Sequence, residues 1–162
     1  MNITENKTEF AEDVKNSVSV IGLCGRSGSG KTTVCKAFEK YGVMSVDTDK
    51  VYRELTAPVA GEASPLVRSI ADAFGDCVVS ADGNLDRRAL AAAVFGDGNK
   101  EKLELLNSLT HKPILDRTEK MIAEYAADGA KGVIVDAPAL FESGFHEKCD
   151  TILCVTALSQ IR

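Results

Sequence analysis

With 162 residues, 44% of them hydrophobic and 27% charged, the chain has material for one folded domain with an adequate core. A net charge of −5 with no basic block argues against nucleic acid as a partner, and no apolar run approaches the ~20 residues that span a bilayer. Five cysteines, none in a C-x-x-C pair, and only two histidines give a metal cluster little support and suit reduced thiols in a cytoplasmic protein.

Residues 1–17 are polar and mixed in charge, neither a signal peptide nor an Arg-rich transit peptide, and read as an extension ahead of a domain over 18–162. The first strand is expected at 18–23, a short β-branched run. It leads into Gly25-Arg26-Ser27-Gly28-Ser29-Gly30-Lys31-Thr32, a complete G-x-x-x-x-G-K-[ST] loop. Glycines there let backbone N–H groups turn inward around phosphate oxygens, and the following helix start adds partial positive charge. Lys31 suits the terminal phosphates and the Thr32 hydroxyl suits Mg²⁺. Val34, Ala37, Phe38 and Tyr41 recur at helical spacing and predict the buried face of that helix.

A second strand over 43–46 ends at Asp47, and a helix is expected over 50–55. Ser64-Pro65 predicts an N-cap and first helical residue, opening a helix that reaches Phe74. The stretch 75–85, with the turn signal Asp82-Gly83-Asn84, predicts a small hairpin or a loop, and Asp86 is expected to cap a helix over 87–95. After the Gly96-Asp97-Gly98 break, one helix is predicted over 101–110 and a second, started by Pro113, to Gly129. Strands over 132–135, ending in Asp136, and over 151–155 complete the pattern. Cys24, Cys35 and Cys154 fall in apolar patterns and are expected in the core.

Alternating strands and helices predict an α/β fold with a parallel sheet flanked by helices. Ligands in such sheets bind beyond the carboxyl ends of the strands, where the loop, Asp47 with Asp49, and Asp136 converge. The helix-rich stretch from about 50 to 109 is the place for a small acceptor-holding insertion. Phosphoryl transfer needs positioning, charge neutralisation and a group that orients the attacking oxygen. Asp49 is the candidate for that last task, with helix capping as its other reading.

The chain resembles the dephospho-CoA kinase family. The resemblance rests on the loop, on Val46-Asp47-Thr48-Asp49 with Arg53, on Phe74-Gly75, and on Asp82-Gly83-Asn84-Leu85-Asp86-Arg87. Leu90, Val94-Phe95, Leu103-Glu104, His111 with Pro113, Pro138-Ala139-Leu140-Phe141-Glu142 and Gln160 continue it in family order. It implies a three-layer P-loop kinase fold and transfer of phosphate from ATP, with Mg²⁺, to the ribose 3′-hydroxyl of dephospho-CoA. It also implies that Asp49 is the base and Lys31 a second catalytic group. Gly28, Ser29, Gly30, Lys31, Thr32 and Thr33 would hold nucleotide, Thr32 the metal, and Asp49, Arg53, Arg87 and His111 the acceptor. For Arg87 a solvated helix start, and for His111 a structural hydrogen bond, stand beside those roles. Glu142 is read as holding the loop after the third strand, and Asp136 either as a more distant Mg²⁺ partner or as a loop cap.

The chain departs from the family at Lys112, an extra residue between His111 and Pro113, and at Ala139 in place of leucine. Family members continue past the position of Arg162 with a helical segment bearing a basic lid, so an ATP-binding core without turnover is one alternative. A nucleoside monophosphate or small-metabolite kinase is another. A GTPase-like switch has Asp72-Ala73-Phe74-Gly75 in its favour, but Asn99-Lys100-Glu101-Lys102 lacks the final carboxylate that reads guanine. A monomer or weak homo-oligomer without membrane attachment completes the expectation.

Overall fold

The computed structural model describes residues 18–95 and 100–157. The expected extension over 1–17, the Gly96-Asp97-Gly98 break, Asn99 and Gln160 lie outside the described residues. The chain divides into two compact units, one of residues 1–49 with 118–162 and one of residues 50–117.

The first unit carries the sheet. Strands β1 (Ser19–Cys24), β2 (Val43–Asp47), β3 (Gly132–Asp136) and β4 (Thr151–Cys154) run parallel in the order β2-β3-β1-β4. Strand β3 is central and reads as an unbroken apolar run, as a strand covered on both faces must. Helix α1 (Lys31–Glu39) packs Val34, Cys35 and Phe38 against Ile21, Leu23, Ile134 and Leu153. The face is narrower than the spacing predicts, because the helix ends at Glu39: Ala37 is exposed and Tyr41, 65% exposed, lies past the end. Cys35 is buried as expected and Cys24 partly so. Cys154 is exposed, because β4 stands at an edge of the described sheet and three of its four residues are exposed.

The second unit is helical. Helix α2 (Thr48–Leu55) begins in the first unit and enters the second, followed by α3 (Pro65–Phe74), a 3-10 turn at Asp76–Val78, α4 (Arg87–Phe95) and the first part of α5 (Lys100–Ala127). Ser64 caps α3 by accepting from the Val67 N–H at 3.2 Å, with Pro65 at the first helical position. Asp86 caps α4, accepting from the N–H groups of Arg88 and Ala89, each at 2.9 Å. Between them, Val79 and Leu85 pair across the Asp82-Gly83-Asn84 turn, so 75–85 combines a helical turn with a minimal hairpin. Leu66, Ile70, Val78, Leu90 and Val94 form the core, with Leu103 and Leu106 of α5 packed on it.

Helix α5 corrects the expectation of two helices meeting at Pro113. It is one helix, and Pro113 lies inside it. Proline has no N–H for the Leu109 carbonyl and its ring crowds that carbonyl, a cost of about 3 kcal/mol. Apolar burial offsets the cost on both sides: Leu103 and Leu106 before the proline, Ile122 after it. Among the described residues no helix is long and apolar enough to cross a membrane.

Candidate active site

Strand β1 ends in the phosphate-type loop that the sequence predicts. A Cβ on Gly25 would lie 2.4 Å from the Val155 carbonyl oxygen, so only glycine fits where the loop leaves the sheet. Gly28 and Gly30 have φ of 77° and 98°, the left-handed region that glycine enters without strain. The Ser29 N–H bonds the Arg26 carbonyl at 3.1 Å, and Thr33 and Val34 both donate to the Gly30 carbonyl. The N–H groups of Gly28, Gly30, Lys31 and Thr32 have no backbone acceptor among the described residues, which leaves a ring of donors at the head of α1. The Lys31 ammonium reaches back to the start of the loop and donates to the Gly25 carbonyl at 2.9 Å. Ser29 is buried and its hydroxyl has no partner, a feature that spacing alone does not announce.

The Lys31 ammonium acts on the Asp136 carboxylate, which Asp47 and Asp49 also influence. Ladder register puts Asp136 level with Asp47 on one side and with Leu23 on the other, so both acids mark the carboxyl edge of the sheet. The Asp47 carboxylate accepts the Asp49 N–H at 3.0 Å, and Thr48 donates its hydroxyl to the Asp136 carbonyl at 3.2 Å. Capping of α2 thus falls to Asp47, while Asp49 presents an exposed carboxylate in the first turn. Asp136 Oδ1 is buried with no hydrogen-bond partner. Burial raises its pKa, Lys31 opposes the rise, and Asp47 and Asp49 reinforce it. The backbone of Asp136, not its side chain, holds the Thr48 hydroxyl, so the loop-cap reading of its carboxylate has no contact behind it.

The raised carboxyl has a stability consequence. The folded chain holds the Asp136 proton more tightly than the unfolded chain, so stability is lost as pH rises from the ordinary aspartate range through the raised folded value. Asp136→Asn should therefore melt at a higher temperature than the parent at pH 7, with the gain shrinking as pH falls toward the ordinary aspartate range. Calorimetric melting at several pH values checks this, and a gain that grows toward low pH would contradict it.

The remaining expected residues belong to the second unit. Arg53 is exposed in the last turn of α2, and Arg87 is exposed at the start of α4. Burial raises the pKa of the Tyr52 phenol and the Arg87 guanidinium lowers it, which places Arg87 near the residue preceding Arg53. Arg117 pairs with Glu54 at 3.2 Å. His111 is half-buried in α5, two residues before Pro113. Asp72 lies inside α3, away from any strand end, which removes the switch-loop reading of Asp72-Ala73-Phe74-Gly75. In the turn after β3, Leu140 is fully buried and Ser143 makes the hydrogen bonds, to the Ala139 and Leu140 carbonyls. Glu142 is exposed, so it does not hold that turn.

Comparison with known proteins gives the family. The family model described as dephospho-CoA kinase matches residues 19–162. The dephospho-CoA kinase of Moorella thermoacetica is 38% identical over 144 residues, covering 88% of this chain and 65% of that protein. That of Corynebacterium glutamicum is 38% identical over 135 residues, covering 83% and 66%. The chain thus spans about two thirds of the length of these curated relatives. Among solved structures, TT1252 from Thermus thermophilus superposes with a TM-score of 0.70 at 27% identity, covering 89% of this chain and 68% of that one. The dephospho-CoA kinase from Campylobacter jejuni, at 15% identity and a TM-score of 0.60, shares the fold. With a parallel sheet ending in a lysine-bearing glycine loop, and a family match that takes in both units, the chain belongs to the dephospho-CoA kinase family.

Proposed function

We propose that residues 18–162 form a P-loop kinase domain that transfers the γ-phosphoryl group of ATP to the ribose 3′-hydroxyl of dephospho-CoA. The observation that carries this reading is the Lys31 ammonium held by the Gly25 carbonyl in a loop whose Gly28, Gly30, Lys31 and Thr32 amides have no backbone acceptor among the described residues, in a chain of this family. The amides of Gly28, Gly30, Lys31 and Thr32, with the Lys31 ammonium, hold the β- and γ-phosphates, and Ser29 and Thr33 line the same loop. Asp49, exposed and free of the capping duty, accepts the proton of the attacking hydroxyl and orients it for in-line approach. Arg53, Arg87 and His111 are the acceptor-binding residues. Arg53 and Arg87, each a planar fork at a helix end, suit phosphate or carboxylate groups.

The residues also fit Mg²⁺. Among the described residues no three acids, histidines or cysteines gather into a closed cage. Magnesium does not require one, since it commonly takes one or two protein oxygens and completes its shell with phosphates and water. Thr32 would ligate it, and the orphaned, buried Asp136 Oδ1 supplies an acceptor for its hydration shell. Bound there, the ion neutralises charge on the β- and γ-phosphates. Among the described residues the five cysteines are thiols rather than disulfides, which suits a reducing cytoplasm.

The test is a panel of acceptors with ATP and magnesium, read as ADP release and as product mass. ADP and CoA should appear with dephospho-CoA and not with nucleoside monophosphates, and GTP should compete poorly for the site. Transfer to a monophosphate would overturn the acceptor assignment. Binding of ATP with no transfer to any acceptor would favour the core-without-turnover alternative.

A further inference from the structure

We propose that Cys24 and Cys154 form a reversible dithiol–disulfide pair at the foot of the phosphate loop, and that closing it weakens triphosphate binding. Its second half rests on the reading of that loop as a nucleotide site.

The two cysteines are directly opposed in the parallel β1–β4 ladder. Neighbouring strands run about 4.8 Å apart, inside the roughly 4.4–6.8 Å that a disulfide spans between Cα atoms. Opposed positions on parallel strands send their side chains to the same face. The Cys24 and Cys154 thiols share a side-chain hydrogen bond, and both are free. Access is asymmetric: Cys154 is exposed and Cys24 is partly covered. Burial raises the Cys24 pKa, and the Cys154 thiol adds to that rise while Lys31 opposes it. Cys154 is therefore the sulfur that meets an external reagent, and Cys24 the one that resolves it.

The oxidant is a low-molecular-weight disulfide. The Cys154 thiolate attacks one of its sulfurs, forming a mixed disulfide and expelling one small thiolate. The Cys24 thiolate then attacks the Cys154 sulfur, forming the Cys24–Cys154 bond and expelling the second. Two electrons pass from the protein pair to the reagent, and the two thiol protons end on the released small thiols.

Closure acts on the loop through short links. Cys24 immediately precedes Gly25, whose carbonyl holds the Lys31 ammonium at 2.9 Å. The Val155 N–H bonds the Cys24 carbonyl at 2.8 Å, and the Val155 carbonyl abuts Gly25. A disulfide draws the two Cβ atoms to about 3.8 Å, and the chain at Gly25 has no free space on the Val155 side to absorb the shift. The displacement passes instead into the Gly25 carbonyl and the lysine it carries.

The experiment treats the purified chain, reduced and then exposed to hydroxyethyl disulfide. Peptide mass mapping reads closure, and calorimetric titration with ATP and magnesium reads binding. A Cys24–Cys154 peptide two hydrogens lighter should appear. ATP affinity should fall about tenfold, within the range of ordinary coupling between sites, and dithiothreitol should restore it. Cys154→Ser, altering an exposed side chain, should bind ATP normally and lose the response. Failure of that peptide to form, or closure with unchanged ATP affinity, would overturn the proposal. If the reduced chain binds no ATP, the nucleotide site and the gating are refuted together, while the peptide map still decides the dithiol.

Discussion

Lys31→Ala should abolish measurable ATP binding at concentrations that saturate the parent, and should cut phosphoryl transfer by at least about 10²–10³-fold, the loss typical for one preorganised donor. Lys31 is the lysine of the loop motif, and its ammonium is already placed by the Gly25 carbonyl at 2.9 Å. A triphosphate entering the loop needs only to exchange that carbonyl for a phosphate oxygen, so little side-chain ordering remains to be done on binding. Lys31→Met keeps the apolar stem and removes the charge, which separates electrostatics from packing. Both variants should also push the Asp136 carboxyl further up, because Lys31 is the group that opposes its rise. The stability gain of Asp136→Asn should accordingly be larger in the Lys31→Met background at pH 7. Calorimetric titration and a coupled ADP assay read the first effect, and melting curves read the second. Undiminished ATP affinity in Lys31→Met would exclude the loop as a phosphate site.

Much of this arrangement was legible in the sequence, for identifiable reasons. The four strands end within a residue or so of their expected ends, because short β-branched runs bounded by Gly or Asp have few other packings. Ser64-Pro65 and Asp86 name their own helices, since a side-chain cap is local chemistry that tertiary structure does not overrule. Pro113 misleads because the local cost of a proline is outweighed by the burial of the helix around it. Cys154 misleads in another way: its apolar neighbours predict a strand correctly, but strand identity does not say which strand lies at an edge. Tyr41 fits the helical period yet falls after the helix ends, where Gly42 turns the chain at φ 81°. At the site, the spacing of Asp47 and Asp49 leaves open which acid caps and which faces outward, and a single hydrogen bond decides it. The isolation of Asp136 Oδ1 is a matter of tertiary burial, and no motif encodes that.

Asp49→Asn should lower turnover by about 10²–10⁴-fold, the range for losing a positioned general base, with ATP affinity nearly unchanged. The separation is possible because Asp47, not Asp49, carries the cap: its carboxylate accepts the Asp49 N–H at 3.0 Å, and that backbone donor survives the substitution. Removing the Asp49 charge from the first turn of α2 forfeits only its favourable interaction with the helix dipole, about 0.3–1 kcal/mol. A loss of activity with a nearly unchanged melting temperature would therefore report chemistry at the carboxylate rather than a damaged helix. Asparagine keeps the shape and one acceptor oxygen, so the hydroxyl can still be oriented while its proton has nowhere to go. Asp49→Glu restores the base but displaces it by one methylene, and should recover part of the rate if proton transfer is what was lost. Normal turnover in Asp49→Asn would leave Asp136, the buried carboxylate that feels the Lys31 charge, as the group to test next.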